Sequence, residues 1–96
     1  MTPDARRRAG RLVARHHRLD PAAAVMVGAV AETGQRGGAT PSAEDRAELL
    51  SIAGNANGFE RFIEAATSRA VQFASARWKT ILEQAERMAE RNAVVV

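Results

Sequence analysis

Cysteine and tyrosine are absent from this chain, and tryptophan and lysine each occur once, at Trp78 and Lys79. Without cysteine there are no disulfides and no thiolate chemistry, and the redox compartment stays undefined. The two histidines, His16 and His17, are neighbours that diverge by about 100° on a helix, so they cannot chelate one ion together. A metal site would therefore need carboxylates alone. Glu60 and Glu64 share a helix face, but no Glu-x-x-His accompanies them, and no metal or cofactor is expected. Ser42, Ser51, Ser68 and Ser75 have no histidine or acid at motif spacing, so no nucleophilic site is indicated and the chain reads as non-enzymatic. Long apolar runs are missing too. The longest uncharged stretch, PAAAVMVGAVA at 21–31, falls well short of the roughly 20 residues needed to cross a bilayer. The N-terminal residues are charged and carry no signal-peptide pattern, which makes the cytoplasm the expected setting.

What is present is helical. Ninety-six residues form one domain, 1–96, with a thin core rich in alanine. Each of the three prolines follows a capping residue, in Thr2-Pro3, Asp20-Pro21 and Thr40-Pro41. An oxygen at the N-cap accepts an orphan N–H, and proline at the first helical position has no N–H to lose. These signals predict helices over about 3–18, 21–33 and 41–53, with Gly34 and Gly54 placed to end the second and third. A turn at GNANG (54–58) precedes a fourth helix over about 58–92, and an all-α fold follows. The second helix is apolar almost all round, as a buried helix would be. In the third, Ala43, Ala47, Leu49, Leu50 and Ile52 are expected to face inward, with Glu44, Asp45 and Glu48 favouring its N-terminal end.

The long fourth helix carries two apolar runs stepping by four and three, with a phase shift near residue 74. Unbroken, it would extend roughly 50 Å, far beyond a compact chain of this length. Either it bends near the shift or its far half packs on another molecule. The expectation is self-association into a helical-bundle dimer through Phe73, Ala74, Arg77, Trp78, Ile81, Ala85 and Met88. Arg77 falls on the apolar side of this helix, suited to an interface ion pair or to stacking. The valines at 94–96 read as a fraying end.

Charge is unevenly distributed. Residues 1–20 carry a net +4 and the remainder a net −1. Six arginines fall between positions 6 and 18, and Arg7, Arg8, Arg11, Arg15 and Arg18 lie within an arc of about 100° on the first helix. Leu12, Leu19, Ala5, Ala9 and Val13 lie opposite, with His16 toward the apolar side and His17 exposed. Five like charges on one face call for an anionic counterpart. Phosphates of a nucleic acid or nucleoprotein suit arginine well. Carboxylates, from an acidic partner surface or from elsewhere in the chain, suit it equally. The loop GQRGGAT (34–40) has no phosphate-loop spacing and reads as a connector. The leading expectation is a nucleic-acid or nucleoprotein accessory factor that contacts phosphates through the five arginines. The rival is an adaptor or inhibitor that docks on an acidic protein.

Overall fold

In the computed structural model, which describes residues 2–94, the chain forms five helices and no strand among the described residues. They are α1 (Pro3–His16), α2 (Pro21–Thr33), α3 (Ala43–Ala53), α4 (Phe59–Ala76) and α5 (Trp78–Val94). The proline signals at α1 and α2 act as anticipated. Thr2 Oγ1 accepts from the Ala5 N–H at 3.1 Å, and Asp20 accepts from the Ala23 N–H at the same distance. The third signal does not. α3 begins two residues after Pro41, because Ser42 and Asp45 form a capping box: Ser42 Oγ accepts from the Asp45 N–H, and Asp45 accepts from the Ser42 N–H. Two donors satisfied reciprocally outcompete the single Thr40 cap.

α2 lies at the centre. Every residue from Ala22 to Ala31 is buried, with α1, α4 and α3 packed around it. α1 meets it through small side chains: Ala5, Ala9, Gly10, Val13 and Ala14 are buried. Gly10 sets the approach, since a Cβ there would lie 2.9 Å from Ala31 Cβ and 3.0 Å from the Val27 carbonyl oxygen. Contact this close has no room for a large residue, and Leu12, expected to dock α1, is instead 46% exposed. Arg6 adds a cap from outside: its guanidinium donates to the Ala31 and Glu32 carbonyl oxygens at 3.1 and 3.0 Å, where the last turn of α2 leaves acceptors free.

The expected fourth helix is two helices. Arg77 leaves helical geometry at φ −123°, ψ 24°, three residues past the phase shift near 74, and its N–H is shared between the Phe73 and Ala74 carbonyls. The break lets α5 turn away from α4 and pack on α1. Phe73, Ala74, Ile81 and Ala85 are consequently buried within one chain, and Trp78 and Met88 pack partly buried on the same core. The apolar residues expected along a dimer seam thus pack among helices of the same chain. A bent chain buries both halves, whereas a straight helix would need a second copy to do so. Arg77 takes the stacking role, with its guanidinium carbon 4.6 Å from the Phe73 ring centre.

α3 also departs from expectation. Only Asp45 and Leu49 are buried on it, while Leu50 and Ile52 are 41% and 40% exposed and Ala47 is exposed. The helix touches the core along one narrow line, so neighbours of Leu49 on the wheel fall outside. On α5, Lys79 Nζ lies 3.9 Å from a Glu83 carboxylate oxygen, one turn along the helix. Val94 ends α5; Val95 and Val96 lie outside the described residues.

The tight α1–α2 contact makes a direct prediction. Gly10→Ala should lower stability by about 1–2 kcal/mol in urea unfolding, because overpacking against backbone outweighs the gain in helix propensity of about 1 kcal/mol. Gly37→Ala, where a Cβ meets nothing within 4 Å, should stay within about 1 kcal/mol of the native chain.

Candidate partner-binding face on the first helix

The five arginines expected to form one free face divide into two groups. Arg7 and Arg11 point toward α3 and the end of α2. Arg7 donates to both oxygens of Asp45 and to Glu32 at 3.1 Å. Arg11 donates to Asp45 at 3.2 Å and to both oxygens of Glu48, at 2.9 and 3.3 Å. The anion opposite these two charges thus comes from within the chain. Arg11 reaches α3 by crossing α2 at Gly28, where a Cβ would lie 2.8 Å from Arg11 Cγ.

Asp45 is the hub of this cluster and, at 1% exposure, the one buried charged residue among those described. Burial alone would push its carboxyl up. The hydrogen bond from Arg7, the Ser42 N–H and the Arg7 charge outweigh burial and hold it below the usual 3.8. Arg7 is correspondingly raised above the ordinary arginine range, chiefly by its hydrogen bond to Asp45. The role of Asp45 was only partly visible in sequence. Ser-x-x-Asp ahead of an apolar run signals the cap. Nothing in the spacing from position 45 to positions 7 and 11 signals the ion pairs.

Arg8, Arg15 and Arg18 form the second group and are exposed. Arg8 lies 3.6 Å from Asp4, an exposed i,i+4 pair of little energetic weight. Arg15 and Arg18 have no carboxylate partner among the described residues. Between Arg8 and Arg15 stands the exposed Leu12. His16, expected in the core, is exposed, its ring edge-on to His17 at 5.5 Å, and His17 meets Phe73 edge-on at 5.7 Å.

α1 ends at His16, short of the expected Arg18, in a Schellman turn. The Leu19 N–H donates to the Ala14 carbonyl and the Arg18 N–H to the Arg15 carbonyl, each at 3.0 Å. This turn needs a left-handed residue, a place where glycine is usual, and Arg18 occupies it at φ 58°. It is the one non-glycine residue with positive φ among those described. An arginine accepts that strain here while its side chain stays in solvent.

Beside this turn a cleft of about 230 Å³ opens between α1, the start of α2 and the end of α3. Leu19, Pro21, Ala24, Val25 and Ile52 line it together with the charged Arg11, Arg15 and Glu48. Asp20, the α2 cap, is held by a two-pronged contact from Arg69 of α4 at 2.8 and 2.9 Å, which fixes the start of α2 under the cleft. Arg69 brings the Asp20 carboxyl below its usual value.

The remaining sequence candidates do not assemble into a site. Arg36 is exposed in the glycine-rich loop, and Glu60 pairs with Arg46 at 2.6 Å. No group of metal-binding side chains occurs among the described residues, and none of their helices is long and apolar enough to cross a membrane. Comparison with protein-family models, with curated proteins and with solved structures finds no match.

Two outcomes follow from these contacts. A carboxyl whose folded pKa lies below 3.8 contributes stability above that pH and loses it as pH falls through the folded value. Acid titration of the native chain should therefore show stability dropping below about pH 4. Asp45→Asn should lower stability by about 3 kcal/mol at pH 7 and flatten the acid limb, both read from urea midpoints. Arg18→Gly, by contrast, should raise stability by about 1 kcal/mol, since glycine relieves the left-handed strain.

Proposed function

We propose that this is a non-enzymatic binding protein that docks on an acidic protein surface through the open side of α1, as an adaptor or inhibitor in the cytoplasm. The observation that carries this reading is the division of the arginines. Arg7 and Arg11 are neutralised by Asp45, Glu48 and Glu32, while Arg8, Arg15 and Arg18 face solvent beside Leu12 and an apolar cleft. Arg8 has only the weak exposed contact with Asp4, Arg15 and Arg18 have no carboxylate, and exposed arginines are enriched in protein-binding surfaces. A strained Arg18 held in solvent fits the same purpose, because unusual backbone conformations concentrate at functional sites.

A nucleic-acid or nucleoprotein role is the second reading, favoured by the same three exposed arginines. Phosphate contacts need cations and no apolar neighbours. Three arginines would neutralise at most about three phosphates, limiting the slope of log K against log salt on duplex to about −3. Exposed Leu12 and Ile52 have no part in such a contact, and for that reason it ranks second.

Fluorescence anisotropy with labelled duplex and single-stranded DNA and RNA, across a salt series from ~50 mM, separates the two. The expected result is no binding at micromolar protein, together with capture of a protein partner that nuclease treatment leaves intact. The triple variant Arg8→Glu, Arg15→Glu, Arg18→Glu should lose that capture while keeping the native fold. Micromolar, salt-sensitive nucleic-acid binding that disappears in the triple variant would establish the second reading instead.

A further inference from the structure

The contact between α3 and α1 indicates the chemistry that the free part of α1 would accept. On α3, Asp45 meets Arg7 and Arg11 while Leu49, one turn later on the same face, is fully buried. A carboxylate on arginine and a leucine in the core, four residues apart, is how this chain seats one acidic helix on its own arginines. One turn beyond Arg11 the same elements recur without an occupant. Arg15 and Arg18 have no carboxylate; Arg15 lines the cleft together with Leu19, Pro21, Val25 and Ile52, and Arg18 precedes Leu19 in the turn beside it.

We propose that this cleft seats a leucine-sized side chain of a partner's acidic helix, whose carboxylate one turn away pairs with Arg15 and Arg18. This rests on the acidic-partner reading and specifies where and how the partner is held. The volume of about 230 Å³ is ample, since cavities of about 150 Å³ already accommodate a benzene ring. Charge selects the occupant. Glu48, which also lines the cleft, is already paired with Arg11, so the uncompensated charge there is that of Arg15. Ile52, 40% exposed, is covered once the apolar side chain enters, and its burial adds to that of the anchor. The Arg15 and Arg18 pairs would then sit at the edge of a dry contact, where charge fixes register and orientation more than affinity.

The test is a titration of isotope-labelled full-length protein, followed by amide NMR. The probe is an alanine- and glutamine-based helical peptide bearing glutamate and leucine four residues apart. Saturable shifts are expected at Arg15, Leu19, Val25 and Ile52. Arg15→Glu and Ile52→Glu, both at exposed positions, should each weaken binding at least tenfold with the dispersion of the spectrum retained. Peptides with glutamine for the glutamate, or alanine for the leucine, should weaken it similarly. Polyglutamate at low salt serves as the control for the reading beneath the proposal. Shifts of Arg8, Arg15 and Arg18 with polyglutamate, but peptide binding indifferent to Ile52→Glu and to the leucine, would overturn the cleft and leave the acidic-partner reading in place. Absence of shifts on α1 with polyglutamate would overturn both. Shifts of the cleft signals with protein concentration alone would name a second copy as the occupant and overturn the partner assignment.

Discussion

One carboxylate organises the arginine-rich side of this molecule. Asp45 closes the N-terminus of α3, takes two guanidinium groups from α1, and is hidden from solvent while doing so. A buried charge is expensive to hold unless its lone pairs are filled, and here two arginines and a backbone N–H fill them. This contact fixes where α3 lies, since that helix otherwise offers the core only Leu49. It also decides which arginines are left over. Arg7 and Arg11 become part of the architecture, and the outward character of α1 is set by Arg8, Leu12, Arg15 and the left-handed Arg18.

The opposite side of α1 depends on the absence of side chains. Gly10 and the alanines around it bring the backbone of α1 against α2, and Gly28 lets the Arg11 stem cross the same helix. Close approach and ionic clamp therefore depend on each other. Were the helices further apart, Arg7 and Arg11 would meet Asp45 less directly; without the clamp, α3 would have little to hold it.

Much of this was legible in the residues themselves, and the failures have physical causes. Local signals did well: the caps at Thr2 and Asp20, the all-round apolar α2, the turn at 54–58 and the phase shift near 74 all correspond to features of the fold. The wheel of α1 grouped five arginines but could not separate those held by α3 from those left exposed, because positions 7 and 45 meet only through the tertiary fold. For the same reason Leu12 and His16 were expected inside: periodicity identifies a face, while the space available against an alanine-rich neighbour decides what fits it. The residues expected along a dimer seam illustrate the complementary point. A two-strand packing pattern is identical whether the second surface belongs to another molecule or to a later turn of the same chain. The non-helical geometry at Arg77 lets α5 fold back on α1, so the pattern is satisfied within this chain.

The packing of α5 on α1 has a temporal side. α1 rests on α5, so the core around α1 cannot close until the residues out to α5 have been made. Contacts between helices so far apart in sequence raise the contact order and slow folding relative to a bundle of neighbouring helices. During that interval all of the arginines of α1 are displayed together, since Asp45 and Glu48 also follow them in the chain. The segregated charge seen in the finished protein is thus a late product of folding, and the nascent chain presents a far more cationic surface than the native one.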